Sequence, residues 1–365
     1  MLAASADPGE SNRKQTYVPL TVALVFESFD SYPRKAGEPD DYAAEYEPAS
    51  TVRAIETAFR KLGHDVVRIG TPHDLLGGIA REELASVDVG FSIAEAYGSR
   101  NREAWALDLF EMAGIPVLGS DALTLSLCLD KAWTNRSLSA AGIPVAAQCL
   151  LDRGQAAEDA ELPAPFPLFV KPRWEGTSKG IVATSRVENR EELAREVERV
   201  VRDYKQPALV EAFLAGAEYT VTLVGHAPPR ALPVLQRALD EETGIGLHAV
   251  EGVHEELKDA TAPPRAHSLP GKLAPDLEAE LQRLALDVFN HFECKDFARV
   301  DFRLDNGDRP VFLEINPLPT FAVDGSFGIL AELEGRDVED LLADIFGEAL
   351  ERISLTAGGL DKESL

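Results

Sequence analysis

Strand-like and helix-like patterns of apolar residues alternate along the first third of the chain. The apolar run PLTVALVF at 19–26 is typical of a buried strand, and apolar residues recur at helical spacing over 50–62. HDVVRIG and VDVGFSI predict two more strands, each followed by a helix, the second at about 102–113, and IPVLGS predicts a further strand. This alternation predicts an α/β domain built on a doubly wound parallel sheet that reaches to about residue 121. Ligands usually bind in the loops after the strands of such a sheet.

The pattern changes in the middle of the chain. A helical segment at 130–142 precedes PLFVKP and KGIVATS, two apolar runs that a Gly-rich turn would join into an antiparallel hairpin. A charged amphipathic helix and the strand ALVEAF complete a small α+β unit, and ALPVLQ is another expected strand. FARVDFRL and PVFLEIN are predicted strands joined by the turn signal DNGD. We therefore expect a tail at 1–16, an α/β lobe at 17–122, α+β lobes at 123–213 and 214–352, and a tail at 353–365.

Composition narrows the classes of function. The chain has 62 acidic against 36 basic residues, a net charge of -26 at pH 7, which argues against a nucleic-acid partner because such proteins need a basic face. No apolar run approaches the length of a membrane span, and residues 1–16 lack the apolar core of a signal peptide. Cys128, Cys149 and Cys294 match neither a disulfide framework nor a zinc pattern. We expect a cytoplasmic protein that binds no membrane.

Two lysines stand out in this acidic chain, within the stretch FVKPRWEGTSKGI at 169–181. Lys171 ends a predicted strand, and Lys179 lies in the turn EGTSKG, whose small residues allow backbone N–H groups to approach an anion. Together they suit a phosphate chain. Taken alone, the stretch is equally compatible with a surface hairpin, because Gly-rich loops are weak signals.

Polar residues interrupt the two predicted strands of RVDFRLDNGDRPVFLEIN. Glu314 and Asn316 share one face of their strand, and the DNGD turn brings Asp301 opposite them. Two carboxylates and an amide inside apolar strands would be costly without a counter-ion, and their oxygen atoms suit Mg²⁺ together with nucleotide phosphates. In ALVEAFLAGAEYTV, the strand edge after Glu211 could bind adenine and Glu218 could bind ribose hydroxyls. Each of these glutamates alone also fits a plain surface position.

The order of these pieces resembles the ATP-grasp superfamily and, within it, the D-alanine–D-alanine ligase family. The resemblance rests on Asp-Lys at 130–131, VKPRWEGTSKG, VEAFLAGAEYTV, RVDFRL and FLEINPLPTF, and it covers about residues 19–350. It implies a three-lobed fold and an ATP-dependent ligase that joins small amino acids or a short peptide through an acyl phosphate. It also implies two Mg²⁺ ions, which Mn²⁺ could replace. Family members are often homodimers.

The resemblance implies roles for individual residues. The nucleotide would be bound by Lys131, Lys171, Lys179, Glu211, Ala212, Leu214 and Glu218. The metal ions would be bound by Asp301, Glu314 and Asn316. The catalytic set would comprise Arg299 at the acyl phosphate and oxyanion, Thr177 and Ser178 in the loop over the phosphates, Ser326 at a substrate carboxylate and Glu47 at the first amino group. Glu95, in a loop at a sheet end, is a further candidate.

The chain departs from the family pattern on the side of the amine acceptor. The loop at 236–270 contains no tyrosine where the family has a motif with Tyr and Lys, and NPLPTF replaces NTxPGMT. FESFDSYP stands where a Gly-rich motif is expected. These departures favour a ligase for a peptide-like metabolite over a D-alanine–D-alanine ligase of cell-wall synthesis. The alternative from another class is a nucleotide-binding protein without turnover. We expect the segment at about 240–270 to select the amine.

Overall fold

The computed structural model describes residues 19–28, 38–152, 160–246, 268–270 and 273–357. The tail expected at 1–16 and most of the loop at 240–270 lie outside these residues. The tail expected from residue 353 begins inside a helix that runs to Ala357. In these described ranges, no helix is both long and apolar enough to cross a membrane.

The first lobe is built on the predicted parallel sheet, with the order β2-β1-β3. Val22 and Leu24 of β1 pack into one core, and Ala23 and Val25 pack into another on the opposite face, so both faces of the sheet are covered. The strands are β1 (Thr21–Val25), β2 (Asp65–Gly70) and β3 (Val89–Ser92), and the helices are α1 (Ala49–Lys61), α2 (Pro72–Ala80) and α3 (Trp105–Met112).

The fourth strand predicted in this lobe, IPVLGS, is reduced to a single bridge between Gly90 and Val117. Backbone groups at and just after that bridge bond to side chains of the third lobe. The Val117 carbonyl accepts a hydrogen bond from Arg352, and the Gly119 N–H donates to Asp296 at 2.8 Å. The prediction of a full strand was therefore wrong because other lobes take up these backbone groups.

The central lobe contains an antiparallel sheet with the order β4-β7-β5-β6. The predicted hairpin exists, but KGIVATS is not its second strand: the chain returns only at 186–187, which pairs with Leu168 and Phe169. Within that run Gly180 has a positive φ of 81° and Ala183–Ser185 forms a short 3-10 helix, so no strand forms there. The elements are α4 (Ala122–Leu129), α5 (Lys131–Ala140), β4 (Gln148–Leu151), β5 (Leu168–Pro172), β6 (Arg186–Val187), α6 (Arg190–Tyr204) and β7 (Ala208–Ala212).

The third lobe has an antiparallel sheet with the order β11-β10-β8-β12-β13, and β9 pairs with β8. The predicted hairpin around DNGD is confirmed, and ALPVLQ splits at Pro233, which has no N–H to donate to a sheet. The strands are β8 (Glu218–Val224), β9 (Arg230–Ala231), β10 (Leu235–Arg237), β11 (Ser268–Pro270), β12 (Phe297–Leu304) and β13 (Pro310–Asn316). The helices are α7 (Pro275–His291), α8 (Ser326–Leu333) and α9 (Val338–Ala357).

The first and third lobes share one apolar core. Phe59 stacks on Phe346 at 4.7 Å between ring centroids, and Phe91 contacts both Phe321 and Phe297 edge-on. The central sheet has a separate core made of its own residues. The described chain thus forms two bodies around a cleft.

Candidate active site

A cavity of about 1050 Å³ lies where the three lobes meet. Every site residue predicted from the sequence lines it, whether the residue belongs to the first lobe (Glu47, Glu95), the central lobe (Lys171, Thr177) or the third lobe (Ser326). The fold therefore brings together side chains that are far apart in sequence. Their individual roles remain predictions.

One wall of the cavity is formed by the β12–β13 hairpin. Asp301 lies opposite Glu314 in the register, and Arg299 lies opposite Asn316. The Arg299 guanidinium is 2.9 Å from Asp301 and 3.5 Å from Glu314, and the Lys131 ammonium is 3.6 Å from Glu314. Burial by itself would raise the pKa of Glu314, but these cations outweigh it and lower the pKa to about 2. Glu314 is therefore ionised at neutral pH.

The same wall fits the metal ions that the sequence predicts. Asp301, Glu314 and Asn316 all line the cavity, and carboxylate and amide oxygens are the donors that Mg²⁺ prefers. In the part of the chain that the structure describes, no group of three or more His, Cys, Asp or Glu side chains could hold a metal. An ion at this wall would therefore complete its coordination with phosphate oxygens or water.

The expected nucleotide side of the cavity lies between β5 and β7. The Lys171 ammonium is 2.8 Å from the Glu211 carboxylate, and both side chains are buried. Ala212 and Leu214 follow along the cavity, and Arg303 lies 3.8 Å from Glu218. Burial raises the pKa of Glu218 although Arg303 opposes it. Lys171 thus neutralises a carboxylate in addition to any contact with a phosphate.

The ring of Phe213 is a feature that the sequence analysis missed. Two guanidinium groups lie over it, that of Arg186 at 4.7 Å and that of Arg303 at 5.1 Å from the centroid. Phe213 and Arg303 also line the cavity. An aromatic ring beside the strand edge after Glu211 provides apolar surface where the sequence places adenine.

The glycine-rich turn (174–180) covers another side of the cavity. The Lys179 ammonium lies 2.9 Å from Glu175 and 3.2 Å from Glu45 of the first lobe, and Arg102 lies 2.7 Å from Glu45. Burial alone would raise the pKa of Glu45, but Arg102 and Lys179 lower it to about 2. No sequence pattern pointed to Glu45 or Arg102, because they are 134 and 77 residues away from Lys179 along the chain.

Glu103 lies opposite Glu95 in the first-lobe wall of the cavity, and the sequence analysis did not identify it as a site residue. The two side chains are hydrogen-bonded to each other. Burial raises the pKa of Glu103 to about 7 and that of Glu95 well above its ordinary value. At neutral pH this pair therefore shares at least one proton. Glu27 lies behind it and accepts hydrogen bonds from the N–H groups of Glu95 and Ala96 at 2.9 and 3.2 Å.

Glu47 and Ser326 line the end of the cavity between the first and third lobes. Glu47 accepts hydrogen bonds from Thr51 at 2.9 Å and from Thr320, and burial raises its pKa. Ser326 is the first residue of α8 and is buried. Helix N-termini favour negative charge, so this position suits a substrate carboxylate.

Comparisons with known proteins identify the family of the chain. The family model described as the D-ala D-ala ligase C-terminus matches residues 138–347. A D-alanine–D-alanine ligase of Halorhodospira halophila is 33% identical over 297 residues, which cover 81% of this chain and 89% of the relative. The uncharacterized protein y4sG of Sinorhizobium fredii is 27% identical over 340 residues, which cover 91% of this chain and 98% of the relative.

Two solved structures share the fold. The D-alanine–D-alanine ligase of Bacillus anthracis complexed with ATP superposes with a TM-score of 0.67 at 18% identity, over 91% of this chain and 98% of the other. The VanG D-Ala:D-Ser ligase of Enterococcus faecalis gives 0.66 at 19% identity, over 91% and 100%. The chain belongs to the D-alanine–D-alanine ligase family and is an ATP-dependent carbon–nitrogen ligase with the ATP-grasp fold.

Proposed function

We propose that the protein uses ATP to join the carboxyl group of one small amino acid, or short peptide, to the amine of another. The cavity between the lobes supports this proposal, because it combines a cationic side, an oxygen-rich hairpin wall and an acidic first-lobe wall. It is large enough for a nucleotide phosphate chain and two small substrates together.

The proposed reaction has two steps. The substrate carboxylate attacks the γ-phosphorus of ATP, the bond to ADP breaks, and an acyl phosphate forms. The amine of the second substrate then attacks the acyl carbon, the bond to phosphate breaks, and the nitrogen loses a proton as the amide forms. Phosphoryl transfer of this kind depends on positioning and on positive charge.

Lys131 and Lys171 would supply part of that charge at the phosphates, from the start of α5 and the end of β5. Asp301, Glu314 and Asn316 would hold Mg²⁺, which supplies further positive charge against the phosphate oxygens when bound. Glu314 must be ionised for this role, in agreement with its pKa of about 2.

Arg299 would act on the acyl group itself. Its guanidinium is fixed by Asp301 through hydrogen bonds of 2.9 and 3.1 Å, so it requires little reorganisation to stabilise negative charge on the acyl phosphate and oxyanion. Thr177 and Ser178 of the glycine-rich turn would cover the phosphates. Glu47 and Ser326 would bind the amino and carboxylate groups of the substrates at the other end of the cavity.

The test is phosphate release from ATP in the presence of D- and L-amino acids, singly and in pairs, with mass spectrometry of the amide. We expect release that depends on a compatible pair. Release with two molecules of D-alanine would identify the activity named for the relatives, and release only with other pairs would identify a specialised ligase. ATP binding without release for any substrate would refute the proposal in favour of a nucleotide-binding protein.

A matched pair of variants strengthens this test. Arg299→Met removes the charge that is placed at the acyl group, and we expect turnover to fall by roughly 10²–10³-fold. Arg309→Met removes an arginine from the exposed turn of the same hairpin, where its partner is Asp305. We expect the second variant to retain turnover.

A further inference from the structure

Four charged side chains, here called the latch, connect the glycine-rich turn to the first lobe. They are Glu45, Arg102, Glu175 and Lys179. Glu45 contacts both cations, at 2.7 Å from Arg102 and 3.2 Å from Lys179. Glu175 lies 2.9 Å from Lys179 and 3.7 Å from Arg102. Each carboxylate therefore faces each cation. Two of the four ion pairs, Glu45 with Lys179 and Glu175 with Arg102, cross between the first lobe and the turn.

The latch is buried and electrically balanced. The exposed fractions of the four side chains range from 1% for Lys179 to 8% for Glu175. Although burial alone would lower it, Glu45 and Glu175 raise the pKa of Lys179, so the lysine is charged. Removing one partner from a buried set of charges leaves another without compensation. The latch is thus stable only while the turn lies against the first lobe.

Glu45 also determines the shape of the turn. It accepts a hydrogen bond from the N–H of Gly176, immediately before Thr177 and Ser178. These two residues have positive φ angles of 46° and 57°, a conformation that needs support from its surroundings in residues other than glycine. The contact with Glu45 therefore orients the two side chains that the sequence places over the phosphates.

The other end of the turn is fixed by the same segment of the first lobe. The N–H of Gly180 donates to Asp41 at 2.7 Å, and the hydroxyl of Tyr204 donates to Asp41 at 2.8 Å. Asp41 and Glu45 are four residues apart and precede Glu47, the residue expected at the first amino group. One short segment thus contacts both the turn and the substrate end of the cavity.

We propose that the latch keeps the glycine-rich turn closed over the acyl phosphate, and that Lys179 serves the latch instead of the nucleotide. Glu45 and Arg102 are then positioning residues, because they act through the turn. The inference rests on the proposed function, since the group that the turn protects from water is the acyl phosphate.

The experiment uses Lys179→Met, which keeps the length of the side chain and removes its charge. Hydrogen exchange of the turn amides needs no turnover, and we expect it to become at least ~10-fold faster, because a buried ion set has lost one member. With a substrate pair that reacts, we expect more phosphate released than amide formed. ATP affinity, measured by calorimetry, should change by less than about 2-fold, because under this proposal other cations, and not Lys179, contact the phosphates.

Two further variants act as controls. Lys179→Arg keeps the charge, and we expect it to restore slow exchange and matched yields of phosphate and amide. Arg352→Gln breaks a different buried ion pair, that with Asp296 at 2.7 Å, which does not line the cavity. We expect it to lower the melting temperature while the turn amides and the ratio of phosphate to amide stay as in the wild type.

Several outcomes would overturn the inference. Unchanged exchange of the turn amides in Lys179→Met would show that the latch does not hold the turn. A fall of tenfold or more in ATP affinity with unchanged exchange would return Lys179 to the nucleotide. If the wild type forms no amide with any pair, the proposed function fails, and the exchange measurement still decides whether the latch exists. If Lys179→Met does not fold, exchange in Glu175→Gln, which removes another charge of the latch, decides the question by the same criterion.

Discussion

Replacing Glu314 with Gln keeps the size of the side chain and removes its charge. In the wild type the cations around Glu314 lower its pKa from 4.5 to about 2. At ~1.4 kcal/mol for each pKa unit, that difference corresponds to about 3 kcal/mol in favour of the ionised side chain. We expect Glu314→Gln to lose up to this amount of stability at neutral pH and to remain folded, because domains are stable by roughly 5–15 kcal/mol.

The same reasoning gives a pH dependence. A carboxyl whose pKa is lower in the folded state stabilises the fold above its unfolded pKa, and this contribution disappears as the pH falls from 4.5 to about 2. The difference in unfolding free energy between wild type and Glu314→Gln should therefore shrink across that window. Denaturant unfolding at several pH values measures it.

Turnover should fall much more than stability. We expect a loss of at least ~10²-fold, because the variant lacks one of the two carboxylates that would hold Mg²⁺. The assay is phosphate release at saturating Mg²⁺, ATP and amino acids. Asp308→Asn is the matched control: it neutralises a carboxylate in the exposed turn of the same hairpin, at a φ of 56° that asparagine tolerates. Turnover in Glu314→Gln within a few-fold of the control would refute the assignment of this wall to metal ions.

Three further predictions concern the rest of the cavity. Lys171→Met leaves the buried carboxylate of Glu211 without its partner at 2.8 Å and should lower the free energy of unfolding by ~3–5 kcal/mol, measured with denaturant. Adding Glu211→Gln should restore part of this loss. An unchanged ATP affinity of Lys171→Met in calorimetry would contradict a role of Lys171 at the phosphates. Because burial raises the pKa of Glu103 to about 7, the free energy of unfolding of the wild type should fall relative to that of Glu103→Gln as the pH rises from 4.5 to about 7. In the wild type, kcat/KM should change with pH near 7, and Glu103→Gln should lose this change. The titratable groups that face Glu103 are Glu95, Glu45, Arg102, Lys131 and Cys128. Gly180→Ala should distort the glycine-rich turn, since its φ is 81° and an added Cβ would lie 2.4 Å from Pro172, and faster proteolysis of the turn would reveal the distortion.

Periodicity predicted the elements whose burial follows their own sequence. The helix expected at 50–62 is α1, at Ala49–Lys61, and the hairpin around DNGD has its expected partners. The expected strands IPVLGS and KGIVATS failed for a different reason. IPVLGS gives backbone groups to side chains of the third lobe, and KGIVATS contains Gly180 at a positive φ and a short 3-10 helix. An apolar pattern encodes neither feature.

The candidate site was predictable where chemistry is local. Glu314 and Asn316 share a face because they are two residues apart on one strand, and Asp301 is brought to them by a short turn. Glu45 and Arg102 could not be found in this way. Their partners are 57 residues or more away in sequence, and each alone is an ordinary charged residue of an acidic chain. Helix α8, which places Ser326, is short and was not expected either.

The core shared by the first and third lobes has a consequence for how the chain folds during synthesis. Val22 and Phe59 near the beginning of the chain and Phe346 and Ile353 near its end belong to the same cluster. Because the ribosome adds residues from the N-terminus onward, the first sheet leaves it with one apolar face uncovered. The central sheet has its own core and can form in the interval. The earliest part of the protein is therefore completed last, when α9 arrives, and a chain truncated before α9 should aggregate through that uncovered face.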